Sequence, residues 1–285
     1  MKRRDFIRKT ATGLSVAAIS PAIFHACGTG HDPLRDFGII AGLVKKNMEE
    51  NPEETLIRLS EMGYRKLEFG GTFGMEKEDL KTLLKKLNIK PVAGGTSMAS
   101  LQGDGLLKAI EEQLEMDKQY LVCYWPWMHS GEVIDQSDLD FTVEQFHRIG
   151  EACNEHGIRF AFHNHDKEFG KVDDRVIYDY FLEYTDPELV TMEMDIYWVT
   201  VGGADPVEYI KKYPGRFELL HVKDSYDPSE RKSFACVGEG VIDFEKIFRL
   251  RKTGGFKHLI VEKDGAEHGL RCARTSIEHL RSLNF

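Results

Sequence analysis

The sequence has few cysteines and no closely spaced pair of them. Five occur among 285 residues, and they are Cys27, Cys123, Cys153, Cys236 and Cys272. The absence of a C-x-x-C pair excludes zinc-ribbon and thioredoxin-like sites. Buried free thiols are therefore the expectation for the cysteines after Cys27. An oxidising compartment would also permit a disulfide.

Three other features are missing, and each excludes a class of protein. No G-x-G-x-x-G follows the first predicted strand, which argues against dinucleotide binding. No segment after residue 26 is long and apolar enough to cross a bilayer. Positive charge is in deficit, because 38 Lys and Arg face 47 Asp and Glu, a formal net charge of −9. Such a surface repels nucleic acid and anionic membrane.

The first 26 residues are typical of an export signal. A basic stretch with Arg3 and Arg4 precedes the apolar segment ATGLSVAAISPAIF. We predict a twin-arginine-type signal peptide over 1–26, a linker over 27–36 and a folded domain over 37–285, in an exported periplasmic protein. Cys27 resembles a lipoprotein cleavage site, so a lipid anchor there is the expected membrane contact. The alternative is a soluble periplasmic form.

From residue 37 onward, short apolar runs alternate with helical patterns. One helical segment, KEDLKTLLKKL, carries a stripe of leucines at 80, 83, 84 and 87. The apolar runs are continuous, as in parallel strands that are covered on both faces. Eight strand–helix pairs fit a single (β/α)8 TIM barrel better than an open doubly wound sheet.

Polar residues are concentrated at the ends of the later predicted strands. In a barrel of this kind, catalytic groups come from the carboxyl ends of the strands. In chain order, the candidates at these ends are Glu68, Trp125, Trp127, His163, His165, Glu168, Glu193, Asp195, His221, Lys223, Asp224, Glu262 and Lys263. Four consecutive strands carry such residues, which is stronger evidence than any single one of them.

Alternation along each strand indicates which side chains face the lumen. Asp195, His221 and Glu262 would bring two carboxylates and one imidazole together from three adjacent strands. This set suits one divalent cation, which would be Mn²⁺, Mg²⁺, Co²⁺ or Zn²⁺. A fourth ligand is expected from the fifth strand, which ends in FHNHDKEF.

Several motifs together resemble those of a known family. FHNHDKEF, MEMDIYWVTVGGADPVEYI, LLHVKD, VGEGVIDF and LIVEKD resemble the sugar phosphate isomerase/epimerase group of xylose-isomerase-like TIM barrels, including its twin-arginine-signalled members. The resemblance implies a divalent metal held by Glu, Asp, His and Glu from strands five to eight. Asp195, His221 and Glu262 match the last three places. For the first place we predict Glu168, with His163 or His165 as the alternative.

The resemblance also implies chemistry at a carbon next to a carbonyl. The metal would stabilise an enediolate, while His163 and His165 move protons and Lys223 stabilises the oxyanion. The expected contacts to a keto-sugar or keto-glycoside substrate are Glu68, Trp125, Trp198 and Lys263. Reprotonation would give an isomerase or epimerase. Loss of a β-leaving group would give a lyase or dehydratase.

Two other functions stay open at this point. A non-catalytic periplasmic sugar-binding lipoprotein would have no need of acid–base groups. An AP-endonuclease-like metalloenzyme would need more histidine ligands and a basic face.

The third strand ends in Thr96 and Ser97, where family members often have a histidine. The sequence also leaves open whether the chain forms a homo-oligomer.

Overall fold

The structure is a computed structural model that describes residues 32–128 and 134–285. The predicted signal peptide over 1–26, Cys27 and the linker as far as residue 31 lie outside the described residues. Within the described ranges, no helix combines the length and the apolar character that a membrane span requires.

Among the described residues, eight parallel strands close into a barrel. They are β1 Gly38–Ile40, β2 Lys66–Glu68, β3 Lys90–Ser97, β4 Tyr120–Trp125, β5 Arg159–His163, β6 Val190–Asp195, β7 Leu219–Val222 and β8 His258–Val261. Each strand pairs with the next along the chain, and β8 pairs with β1. The predicted single (β/α)8 barrel is confirmed.

Helices connect the strands and cover the outside of the barrel. They are α1 Lys45–Glu50, α2 Pro52–Met62, α3 Lys77–Lys86, α4 Gly105–Glu115, α5 Gln136–Glu155, α6 Ile177–Tyr184, α7 Ile196–Val201, α8 Pro206–Lys212, α9 Phe244–Phe248, α10 Arg251–Gly254 and α11 Gly269–Ser282. Residues with capping preferences mark the ends of several of these helices. Asn51 caps the first turn of α2, and Gly63 ends it at a φ of 99°.

The leucine stripe of α3 packs toward the barrel, where Leu80, Leu83 and Leu84 are buried. Strand β5 shows the two-sided burial that a covered parallel strand requires. Its Phe160 and Phe162 rings contact Phe146 of α5, at centroid distances of 5.4 and 4.9 Å. Intervening side chains therefore point into the lumen.

The lumen contains an apolar layer with a polar layer directly above it. The apolar cluster includes Ala161, Leu219 and Ile260. His163, His221 and Glu262 each follow one of these residues by two positions. Because side chains alternate with a period of two, each polar residue faces the same lumen as the apolar residue before it. The carboxyl ends of β5, β7 and β8 thus deliver titratable groups to one place.

Two of the predicted free thiols are paired. Cys236 and Cys272 form a disulfide, so the expectation of free thiols is wrong for these two residues. Cys123 and Cys153 are free and buried, as expected. The bridge joins the segment after β7 to α11 across a sequence separation of 36. No local pattern marks such a long-range pair.

We predict that the disulfide stabilises the barrel measurably. Closing a loop of this length should contribute roughly 2–4 kcal/mol to the free energy of unfolding. Reductant should therefore lower the denaturant midpoint of the native protein. The Cys236→Ala, Cys272→Ala double variant should unfold at the lower midpoint with or without reductant. An equal response of both proteins to reductant would contradict the prediction.

Candidate active site

Four residues at the ends of β5 to β8 converge in the polar layer. His163, Asp195, His221 and Glu262 each offer one nitrogen or oxygen atom, and these atoms all lie within 4.8 Å of one another. The structure therefore brings together the three residues predicted as ligands from strands six to eight. We call His163, Asp195, His221 and Glu262 the four-residue cluster.

Glu168 does not belong to this cluster, contrary to our prediction. Its buried carboxylate accepts hydrogen bonds from Trp127 Nε1 at 2.8 Å and from the His165 backbone N–H at 2.6 Å. The cause is local geometry, because β5 ends at His163 and the chain then turns into a 3₁₀ helix over Asp166–Phe169. His163, the alternative ligand, takes the lumen position instead.

A second set of carboxylates lies against the four-residue cluster. Glu193 Oε2 lies 3.1 Å from His163 Nδ1 and 3.4 Å from His221 Nε2. Glu68, predicted as a substrate contact, is fully buried and both of its oxygens lie 3.2 Å from His221 Nε2. Tyr124 donates its hydroxyl to Glu68 Oε1 at 2.6 Å. Glu193 is one of the strand-end candidates but has no assigned role in the predicted site, although its shared face with Asp195 was a usable signal.

Asp195 has one satisfied and one unsatisfied oxygen. Oδ1 accepts from the Trp198 backbone N–H at 3.0 Å. Oδ2 is buried and, among the described residues, has no hydrogen-bond partner. It lies 3.9 Å from His163 Nε2 and 3.7 Å from Lys223 Nζ. An unsatisfied buried carboxylate oxygen is costly. Facing two imidazoles and a second carboxylate, it fits a site for a divalent cation.

Burial and mutual charge shift the protonation of this site strongly. Burial lowers the pKa of His163 well below its usual range, and the neighbouring His221 and His165 add to the effect. Burial raises the pKa of Asp195 to about 8. For His221, burial acts to lower the pKa, but the carboxylates of Glu193 and Glu68 outweigh it and raise the pKa well above its usual value. A cation bound here would displace that proton.

Lys223 places a buried ammonium beside the four-residue cluster. Its Nζ lies 2.6 Å from Asp264 Oδ2 and 3.4 Å from Glu262 Oε1. Burial acts to lower its pKa, but the charges of Glu262 and Asp195 outweigh burial and raise it. Lys223 therefore stays charged at neutral pH. This suits the predicted stabilisation of an oxyanion.

Two tryptophans flank the second histidine of the motif. The His165 ring lies 5.6 Å from the ring of Trp125 and 5.6 Å from that of Trp198. Burial and the Lys223 charge lower the pKa of His165 to about 4. At neutral pH this side chain is therefore an uncharged imidazole that is able to accept a proton.

The remaining predicted contacts have different surroundings. Trp125 and Trp198 border His165, as a substrate-binding role would require. Trp127 instead packs against Phe181 and donates to Glu168, which is a structural role. Lys263 follows Glu262 directly and is half-buried, but it contributes no atom to the four-residue cluster.

A closed parallel barrel with titratable groups at its strand ends defines a TIM-barrel protein with a site at the usual face. The family profile described as xylose isomerase-like TIM barrel matches residues 56–283. The chain belongs to this family, as the sequence motifs predicted.

Two curated relatives are distant in sequence, and both are inosose dehydratases. The chain is 25% identical over 234 residues to an inosose dehydratase of Geobacillus kaustophilus, covering 69% of this chain and 74% of that protein. It is 24% identical to an inosose dehydratase of Bacillus cereus, covering 46% of this chain and 49% of that protein. The second match thus spans about half of the relative's length.

Two solved structures illustrate the shared fold. A sugar phosphate isomerase/epimerase from Parabacteroides distasonis superposes with a TM-score of 0.75 at 24% identity, covering 86% of this chain and 93% of that chain. The IOLI protein, whose structure contains a zinc atom, superposes with a TM-score of 0.68 at 14% identity, covering 86% and 98%. At these identities the likeness establishes the fold alone.

The structure predicts that His163, not Glu168, contributes to metal binding. After loading by dialysis against Mn²⁺ or Zn²⁺, the His163→Gln variant should contain much less metal per chain than the native protein, because its ligand set is incomplete. Glu168→Gln should keep the native stoichiometry. Elemental analysis of both variants at matched protein concentration measures this. Loss of metal in Glu168→Gln alone would restore Glu168 as the ligand.

Glu168 should also make stability depend on pH. Burial raises its pKa to about 7, above the usual value for glutamate of about 4.3. Between these values the folded state binds more protons than the unfolded state, so stability falls as pH rises through this window. From pH 4.5 to 7, the free energy of unfolding of the chelator-treated native protein should fall relative to that of chelator-treated Glu168→Gln. Above pH 7 the difference between the two free energies should stay constant. Denaturant titrations of both proteins test this, and a difference that is constant over the whole pH range would contradict it.

Proposed function

We propose that the protein is a divalent-metal-dependent lyase or dehydratase that acts on a keto-sugar or keto-cyclitol. The observation that carries the proposal is the four-residue cluster, with the unsatisfied Asp195 Oδ2 directed at its partners. The names of the inosose dehydratase relatives support elimination as the reaction type. The zinc atom in the IOLI structure supports a metal in this fold. Export to the periplasm stays part of the proposal.

His163, Asp195, His221 and Glu262 would hold the cation. The bound metal would supply Lewis acidity to the substrate carbonyl and thereby acidify the neighbouring C–H. Glu193 supports this arrangement from behind, because its carboxylate lies 3.1 Å from His163 Nδ1 and orients the other ring nitrogen toward Asp195. Such a carboxylate–histidine pair also fixes the tautomer of a ligand imidazole.

His165 is the better candidate for the base once His163 is a ligand. It is neutral at the working pH because its pKa is low, and its ring lies 4.9 Å from that of His163. Trp125 and Trp198 hold the ring on two sides. The uncharged ring beside the four-residue cluster is placed to take a proton from a carbon that a bound cation would acidify.

Lys223 would stabilise the negative charge that develops on the carbonyl oxygen. Its ammonium is charged and buried, so its field is weakly screened. The neighbouring carboxylates of Glu262 and Asp264 hold it in place at 3.4 and 2.6 Å. Because these contacts already fix the ammonium, Lys223 needs little reorganisation when negative charge develops on the carbonyl oxygen.

The elimination balances without an oxidant. His165 accepts the α-hydrogen as a proton, and the C–H electron pair becomes a carbon–carbon double bond. The bond from the β-carbon to oxygen breaks with its electron pair, and the departing oxygen takes up the proton that His165 accepted, so that it leaves as water or an alcohol and the imidazole is neutral again. The product is an enone.

Isomerisation or epimerisation is the second candidate. It shares the first proton transfer and differs in returning the proton to another face or carbon. The name of the Parabacteroides distasonis neighbour favours it. Product analysis separates the two reactions.

We predict that the metal-loaded protein converts an inosose or a 3-keto-glucoside to a product with enone absorbance. His165→Gln should lower kcat by about 10²–10⁴-fold, the usual contribution of a general base, with its metal content intact. Asp195→Asn should lose both metal and turnover. The exposed His156→Gln is the matched control and should retain activity. Turnover that survives chelation and the Asp195→Asn substitution would overturn the proposal, and a new epimer without enone would select the second candidate.

A further inference from the structure

The mouth of the barrel is divided into a polar and an apolar half. The ends of β5 to β8 carry the four-residue cluster. The segments after β1 and β2 enclose a cavity of about 410 Å³ on the other side. Its main apolar lining residues are Ile40, Met48, Phe69, Phe73 and Tyr124. We call this cavity the apolar pocket.

The apolar pocket shares a wall with the candidate active site. Tyr124 lines the pocket, and its hydroxyl donates to Glu68 Oε1 at 2.6 Å. The Tyr124 ring also lies 5.7 Å from the His163 ring. Phe69, the next residue after Glu68, lines the pocket as well. The apolar pocket and the candidate active site are therefore neighbours at Tyr124.

The lining selects against a polar occupant. Sugar hydroxyls or a phosphate placed against Ile40, Met48 and Phe69 would lose water without gaining hydrogen bonds, which is unfavourable. The charged lining residues Lys45 and Glu49 have largely exposed side chains and lie 3.8 Å from each other. They belong to the rim, so the interior offers mainly apolar contacts.

The chain accepts local strain to build this wall. Phe73 has a φ of 56°, in the left-handed region that bulky residues rarely adopt. Its ring is half-buried and lies 5.5 Å from the Phe69 ring. The turn thus holds the Phe73 ring beside the cavity at a cost in backbone conformation.

We infer that the apolar pocket is a subsite for an apolar aglycone, an aryl or alicyclic group linked to the keto-sugar. The inference rests on the proposed function, since the polar half must hold the sugar for the aglycone to reach the pocket. A volume of about 410 Å³ lies within the usual range for small-molecule sites. The substrate class is then a glycoside with an apolar leaving group.

The test compares glycosides that differ only in the aglycone. Binding of 4-nitrophenyl β-D-glucoside and of methyl β-D-glucoside to metal-loaded protein is measured by calorimetry, and turnover is measured with the two corresponding 3-keto-glucosides. We expect the nitrophenyl compounds to bind at least about tenfold more tightly, since burying an aromatic ring removes a large apolar area from water.

Gly42 allows the pocket to be filled with little disturbance. A Cβ at this exposed lining position would meet only Ile40 Cγ1, at 4.0 Å. Gly42→Leu should reduce the nitrophenyl-to-methyl preference toward one. Phe73→Ala, at a half-buried position, tests the same preference by removing a wall. Lys108→Leu adds an equally apolar, exposed side chain on α4 and should leave the preference unchanged.

The outcomes separate the subsite from the reaction. A preference that Gly42→Leu or Phe73→Ala abolishes supports the subsite, even if neither keto compound is converted and the proposed function fails. Equal binding of the two glucosides overturns the subsite, even if both keto compounds are converted. A preference that survives both substitutions also overturns it, because the aglycone then binds elsewhere.

Discussion

The contacts of the His221 imidazole connect the carboxylates of the barrel mouth. One ring nitrogen lies 2.9 Å from Glu262 and the other 3.2 Å from Glu68. Glu193 is 3.4 Å away. Three acids at this depth would repel one another if they were all ionised and uncompensated. Protonated His221, the Lys223 ammonium or a bound metal offsets this charge. Burial and the Glu68 charge also raise the pKa of Glu193 to about 8, so protonation of this acid relieves part of the repulsion at neutral pH.

Contacts among the loops that follow the strands position the side chains around His221. Asp166 and Arg231 form an ion pair between the segments after β5 and β7. The Arg231 guanidinium lies 5.2 Å from the Trp198 ring centroid, so the ion pair also covers one wall of His165. The disulfide fixes the end of the same segment to α11. Side chains from distant parts of the chain are thus kept in register, as catalysis requires.

The division of the mouth follows from how the strands end. Asp195 and His221 place charge at the ends of β6 and β7. Ile40 and Phe69, at corresponding ends, place apolar groups above β1 and β2. The proposed reaction and the proposed aglycone subsite would therefore use the same face of the barrel. The two halves meet at Tyr124, which touches both.

The sequence by itself determined the barrel and most of the polar layer. Apolar runs and helical stripes report local burial, and a period of two along a strand places Asp195, His221 and Glu262 on lumen-facing positions. Only the tertiary structure placed His163, and not Glu168, beside Asp195, His221 and Glu262, because the 3₁₀ turn after β5 redirects the later residue. It also decided the pairing of Cys236 with Cys272 and the pocket between Ile40, Phe69 and Tyr124. Periodicity acts over a few residues, whereas these contacts join segments that meet only when the barrel closes.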